Sequence, residues 1–257
     1  MNQRVLTALP VFNEASHVCG VLDQVVRYSP HVLVVDDGST DRTAELLAAR
    51  NDIAVVTHAE NQGYGAALLT AFRHAIEYKY DILITIDCDG QHQPQRIPQF
   101  VAAMDDTSAQ SPIDIVSGSR YLRQLEGDSQ PPVERMRINQ LVTAELNSRL
   151  GLNLTDAFCG FKAYRVASLP CLAKHVRETG YAMPLEVWVE AARLKLNVVE
   201  LAVPLIYLDE KRSFGGALDD GQTRLDYYRL ILNRGLASIE EESACDGNRT
   251  ACCKGGR

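Results

Sequence analysis

Residues 82–92 read Ile82-Leu83-Ile84-Thr85-Ile86-Asp87-Cys88-Asp89-Gly90-Gln91-His92. A short β-branched apolar run of this kind reads as a buried strand. Here it stops on two carboxylates with one residue between them. Working outward, four similar runs occur at Val5–Leu9, Val32–Val35, Ile53–Thr57 and Ile113–Ser117. Between the runs lie helical patterns over Ser16–Tyr28, Asp41–Arg50, Tyr64–Tyr78 and Pro94–Met104. Asp41 or Thr40 suits a helix cap, and Pro94 suits a first turn. The alternation predicts βαβ units, hence an α/β fold with a Rossmann-like, mostly parallel central sheet flanked by helices. Such sheets bind ligands beyond the carboxyl ends of their strands. The polar clusters fall at those ends: Asn13-Glu14, Asp36-Asp37-Gly38-Ser39, and Asp87 to His92.

Downstream, Leu122 to Pro132 reads as a long polar loop. A helix from about Arg135 to Leu150 follows, then the segment Asp156–Tyr164. Next come a helix around Leu185–Leu196 and a strand-like run Val198–Leu205. Asp209 to Gly221 is charged and Gly-rich and reads as a flexible loop. Gln222–Ile239 reads as a helix with Leu225, Tyr228, Leu232, Leu236 and Ile239 near one face. That face suits packing on its own domain, a bilayer surface or another subunit. The expected organisation is a single domain over 1–240 and a disordered tail over 241–257.

The 257 residues, 46% hydrophobic and 23% charged, suit one soluble enzyme domain with a core that needs no disulfides. A net charge of −7 argues against a general nucleic-acid binder. An anionic ligand must then be met by a metal or by a few placed arginines. Seven cysteines without a repeated C-x-x-C spacing suggest neither a disulfide framework nor a zinc site. Reduced thiols in a cytoplasmic protein are the expectation. No stretch reaches the ~18 apolar residues of a membrane span, so membrane contact would be peripheral, at the cytoplasmic face.

Asp87 and Asp89 can converge on one hard cation as the chain turns. Mg²⁺ or Mn²⁺ takes oxygen ligands and keeps positions open for substrate phosphates, where it acts as a Lewis acid. Gln91 and His92 stand ready to add a ligand or to support one. Alone, Asp-x-Asp is a weak signal. Aspartyl-phosphate hydrolases also use it, with the first Asp as nucleophile, but on their first strand. A dinucleotide fold would place G-x-G-x-x-G after the first strand, where this chain has Pro10-Val11-Phe12-Asn13-Glu14. Asp36-Asp37 suits hydrogen bonding to a base or ribose, and equally a turn and helix cap. Arg120, Arg135 and Arg212 have the fork geometry for phosphate, although each alone reads first as a solvated surface residue.

In order, these motifs resemble the family 2 inverting glycosyltransferases of GT-A fold, nearest the dolichyl- or polyprenyl-phosphate mannosyl/glucosyl synthase branch. The resemblance rests on Leu9-Pro10-Val11-Phe12-Asn13-Glu14, Val34 to Asp41, Asn61-Gln62-Gly63-Tyr64-Gly65, Asp87 to His92, Gly118-Ser119-Arg120-Tyr121, Asp156 to Tyr164, and Arg212-x-x-Gly215. It covers roughly residues 4–216. It implies that Pro10, Phe12, Glu14 and Asp37 hold the nucleotide. It implies that Asp87, Asp89 and Gln91 serve the metal and diphosphate. It implies that Arg120, Arg135 and Arg212, with Asn139, bind the acceptor phosphate or donor diphosphate. The implied reaction moves a hexose from GDP-mannose or UDP-glucose to polyprenyl phosphate. An anionic acceptor needs no strong base, so catalysis would be positioning and charge stabilisation.

Departures from the family pattern are Phe12 for Tyr, Asn139 for Ser, Lys162 for Arg, a less polar Gly180–Glu186 segment, and no apolar anchor after Arg234. They bear on the acceptor more than on the reaction. A hydroxyl acceptor, soluble or polysaccharide, would require a base, for which Asp156 or Glu186 is the candidate. A non-catalytic nucleotide-sugar binder is the remaining alternative. The intact carboxylate pair and the three arginines argue against it.

Overall fold

A computed structural model describes residues 3–106, 111–208 and 216–252, with side chains through residue 238. Strand β1 (Val5–Val11) leads through α1 (Val18–Tyr28) to β2 (Val32–Asp36). Then α2 (Thr43–Ala48), β3 (Ala54–Thr57), α3 (Tyr64–Glu77) and β4 (Ile82–Thr85) complete the first half. A 3₁₀ turn at Pro94–Arg96 opens α4 (Ile97–Met104), so Pro94 does start a helical segment. The second half runs β5 (Ile115–Ser119), α5 (Val133–Leu150), β6 (Lys162–Arg165), α6 (Leu169–Leu172), α7 (Met183–Arg193), β7 (Val198–Ala202) and α8 (Gly221–Cys252).

All seven strands form one sheet in the order β3-β2-β1-β4-β6-β5-β7. Only β6 is antiparallel to its neighbours; the other pairings are parallel. The chain winds outward from β1 to β3, then returns to the other side of β1 with β4. That reversal opens a crevice at the carboxyl ends of β1 and β4.

Strand residues alternate between two cores, as the two-residue period requires. Leu6, Ala8, Leu33, Val35 and Leu83 face α3, α5, α7 and α8. Leu9, Val11, Val32, Val34, Ile82 and Ile84 face α1 and α4. The deepest packing on the second face is Phe100 of α4 against Phe161, both fully buried and stacked at 4.0 Å.

The largest difference from the sequence reading is α8. It begins at Gly221 and continues to Cys252, past the point where a disordered tail was expected from 241. Glu240, Glu241, Glu242 and Ala244 are good helix formers, so propagation past 240 is favourable. Its apolar face is also settled as far as Leu236. Tyr228, Ile231 and Leu232 are buried, with Leu225 and Leu236 packed beside them in the first core. This described part of the face packs on the domain itself, against α5 and α7; the side chain of Ile239, expected on the same face, lies outside the described residues. Of the loop expected over 209–221, residues 209–215 lie outside the described residues, and Gly216–Asp219 forms a 3₁₀ turn. Cys19, Cys159 and Cys171 are free thiols, and Cys88 is buried.

Truncating Phe100 would remove a stacked ring from a site that cannot collapse around α4. Phe100→Ala is expected to lower stability by about 3–5 kcal/mol, read from urea unfolding.

Candidate active site

The crevice is a cleft of about 530 Å³, within the range of small-molecule sites. One wall is made by the ends of β1, β2 and β4. The chain leaves β1 through Phe12, which is 41% exposed, and turns at Asn13 with φ 55°. Asn tolerates this left-handed conformation better than most residues. Its side-chain oxygen then accepts from the amides of Thr40 (2.8 Å) and Asp41 (3.2 Å), tying the β1 loop to the β2 loop. Glu14 is buried beside it and meets His17 Nδ1 at 3.1 Å.

Asp37, expected at the base or ribose, lines the cleft but also braces its wall. One carboxylate oxygen accepts from His58 Nδ1 at 2.6 Å and the Gln62 amide at 3.0 Å. The other accepts from the Gly63 amide at 2.7 Å. Gly63 has φ +103°, and a Cβ there would strike the Thr179 carbonyl, so only glycine fits this turn.

Asp87 follows the end of β4. The Tyr64 hydroxyl donates to its Oδ1 at 3.0 Å, and His92 Nε2 meets its Oδ2 at 3.2 Å. Burial, then the Asp87 charge, push the Tyr64 phenol well above its usual range, so it remains a donor. Gly160 of the loop before β6 has no room for a Cβ, because the Asp87 carboxylate occupies that space. Asp89 accepts from the Gln91 amide at 2.9 Å, closing a tight turn through Gly90.

The opposite wall comes from β5, α5, α7 and α8. Arg120, at the end of β5, donates through Nε (2.6 Å) and Nη2 (3.0 Å) to Asp156. Asn139 of α5 donates to the same carboxylate at 2.9 Å. Asp156 is fully buried. Burial alone would push it toward the neutral acid. The Arg120 charge and its hydrogen bonds outweigh that and hold the carboxyl well below the usual carboxylate range. Arg120 is held charged by the same pairing, against its own burial.

Pro10, Phe12, Glu14, Asp37, Asp87, Asp89 and Gln91 on one side, and Arg120, Arg135 and Asn139 on the other, all line this single cleft. Arg212 lies outside the described residues. The two candidate bases are both engaged by other groups. Asp156 is the counter-ion of Arg120. Glu186 is buried off the cleft, accepting from the Arg177 and Glu178 amides at 2.6 and 2.7 Å and from Arg234.

Four cleft residues carry no clear signal in the sequence: Tyr64, Tyr181, Arg224 and Tyr228. Tyr64 sits inside a recognised block, but its partner lies 23 positions away. Tyr181 stacks on Tyr64 at 5.6 Å. Tyr228 reads as part of the apolar face of α8.

Comparison with known proteins shows the family. Residues 7–172 match the family model described as Glycosyl transferase family 2. The undecaprenyl-phosphate mannosyltransferase of Micrococcus luteus is 32% identical, over 88% of this chain and 94% of its own length. The polyprenol monophosphomannose synthase of Mycolicibacterium smegmatis is 30% identical, over 81% of this chain and 79% of its own. The solved glucosyl-3-phosphoglycerate synthase of Mycobacterium tuberculosis, in complex with UDP, superposes with a TM-score of 0.65 at 20% identity. That match covers 93% of this chain and 80% of the other, and it shows the shared fold.

Folding depresses the Asp156 carboxyl, so its stabilisation is complete above the unfolded-chain value of about 4. It is lost as pH falls through the folded value. Asp156→Asn is expected to cost about 3 kcal/mol at pH 7, because the Arg120 charge loses its partner. The variant should also show a shallower stability loss below about pH 4 than the parent protein, measured by denaturant unfolding across pH.

Proposed function

Because the chain belongs to glycosyl transferase family 2, we propose that this glycosyltransferase moves a hexose from GDP-mannose or UDP-glucose to a polyprenyl phosphate, with inversion. The observation that carries the acceptor class is the state of Asp156. It is fixed as the counter-ion of Arg120, so among the described residues the wall facing the carboxylate pair offers guanidinium groups, with this carboxylate already engaged. An acceptor that is already anionic suits such a wall, because a phosphate oxygen can attack the anomeric carbon without prior deprotonation. The two curated relatives are named for transfer to polyprenyl phosphates, which supports the same class.

On the donor wall, Asp87 and Asp89, with Gln91 beside them, fit a divalent cation. Among the described residues no three His, Cys, Asp or Glu side chains converge to hold a metal by themselves. A two-carboxylate site is incomplete alone and suits Mg²⁺ or Mn²⁺ shared with substrate phosphates. When bound, the ion would supply Lewis-acid charge to the departing nucleoside diphosphate. The protein's own part is to hold Asp87 in place through Tyr64 and His92, and to aim Arg120 and Arg135 across the cleft. Pro10, Phe12, Glu14 and Asp37 would receive the nucleotide.

No helix among the described residues is long and apolar enough to cross a membrane. A lipid-borne acceptor would bring the reaction to a membrane surface, and the cytoplasmic face is the one this reading proposes. The described apolar side of α8 is already covered by the domain, so peripheral contact there would use other surface.

Calorimetric titration of GDP-mannose, UDP-glucose and UDP-GlcNAc, each with Mn²⁺ or Mg²⁺, tests the donor. One donor should bind best, and Asp89→Ala should weaken its metal-dependent binding at least tenfold, about 1.4 kcal/mol. With undecaprenyl phosphate present, labelled sugar should partition into organic solvent. Label found only on water-soluble acceptors would overturn the acceptor class, and flat titrations for all donors would overturn the donor reading.

A further inference from the structure

Helix α8 contributes two side chains to the cleft that the reaction described above does not use. Arg224 and Tyr228 both line it, and their spacing of four puts them on one helix face. Arg224 is 3% exposed, with Nη1 donating to the Leu218 carbonyl at 2.7 Å and Nη2 3.7 Å from Glu134. Tyr228 is 4% exposed, its ring stacked on Phe158 at 4.8 Å. The Tyr228 hydroxyl has no hydrogen-bond partner among the described residues, and it is not sealed from solvent. Buried tyrosines ordinarily find a partner for the hydroxyl. Here the stacked ring fixes the position of that hydroxyl while its hydrogen-bonding capacity is left to whatever enters the cleft.

The surroundings indicate what would enter. Burial pushes the phenol up to about 12, against the pull of the Arg224 and Arg135 charges. The group therefore keeps its proton across the physiological range and acts as a donor. Arg224 and Arg135 line the same cleft as this hydroxyl, with Glu134 3.7 Å from Arg224, and two guanidinium groups in one cleft wall suit an anion. Ile138 and Phe158 border the same cleft and give it apolar surface. A donor hydroxyl, arginines and apolar side chains together match a phosphate monoester carried on a hydrocarbon chain.

We propose that the Tyr228 hydroxyl donates a hydrogen bond to the acceptor's phosphate, in a subsite that Arg224 of α8 and Arg135 of α5 complete. This rests on the polyprenyl-phosphate reading above. In it α8 sets acceptor affinity, and none of Pro10, Phe12, Glu14 and Asp37, proposed above for the nucleotide, belongs to that helix.

The test uses farnesyl phosphate as a water-dispersible acceptor and the full chain. Tyr228→Phe keeps the ring and its stack and removes one hydroxyl. The acceptor KM is expected to rise about fivefold or more, with the Kd for the nucleoside diphosphate and Mn²⁺ unchanged within twofold. Arg224→Lys, which keeps the charge and loses the fork, should raise the same KM and leave the same Kd. A Tyr228→Phe protein with unaltered acceptor KM overturns the inference alone. A parallel loss of nucleoside diphosphate binding also overturns it, because the hydroxyl would then be acting on the fold. Transfer by the parent protein to hydroxyl acceptors but not to farnesyl phosphate overturns the underlying reading of the acceptor.

Discussion

Asp156 has no contact with solvent and faces a guanidinium at 2.6 Å, and half of the cleft is arranged around that pairing. Arg120 reaches it from the end of β5, and Asn139 from α5. Its own backbone amide, with that of Thr155, is held by Glu200 on β7. The next residue, Ala157, receives the Trp188 indole N–H from α7 at 2.8 Å. The short segment Thr155-Asp156-Ala157 thus joins elements that approach from four directions, Arg120 and Asn139 through the carboxylate and Glu200 and Trp188 through the backbone. A buried ion pair is poor at stabilising a fold, because desolvating both groups offsets much of their attraction. Its value here is positional. Arg120 is held in orientation before any ligand arrives, so no reorganisation is needed when negative charge enters the cleft.

The opposite wall follows the same logic with different parts. Asp87 is steadied by Tyr64 from α3, by His92 from its own loop, and by a glycine that leaves room for it. Tyr64 is in turn backed by Tyr181. Asp87, which would meet the donor, is therefore oriented by neighbouring side chains that line the same cleft. A carboxylate held this way presents its remaining lone pairs in a fixed direction, as a site shared with substrate phosphates requires.

The fold was largely legible in the sequence, because β-branched runs separated by amphipathic helices leave few alternatives to a parallel sheet. All five early strands appear within two residues of their expected starts. The carboxylate pair was legible because it follows one of those strands directly. Strand β6 was not. Lys162-Ala163-Tyr164-Arg165 has charged ends and no alternation, and it becomes a strand only because β4 and β5 flank it. The site was legible where residues sit in short blocks at strand ends. It was not legible where a partner is distant, as with Tyr64 and Asp87. Nor was it where a residue serves two roles, as Tyr228 does in the core of α8 and at the cleft. Asp37 shows a third limit: its place at the cleft could be read, but not that His58 and two amides would engage its oxygens.

The antiparallel strand β6 carries a consequence for how the molecule assembles. β1 to β4 are contiguous in sequence and adjacent in space, so that half of the sheet can form from nearby contacts. β5 has no such neighbour. It touches the sheet only through β6 and β7, which emerge from synthesis more than 40 residues later. Until then its apolar edge waits unpaired, the kind of exposed strand that invites wrong association. In the order of synthesis, the two walls of the cleft are joined through the sheet only once β6 and β7 have followed β5.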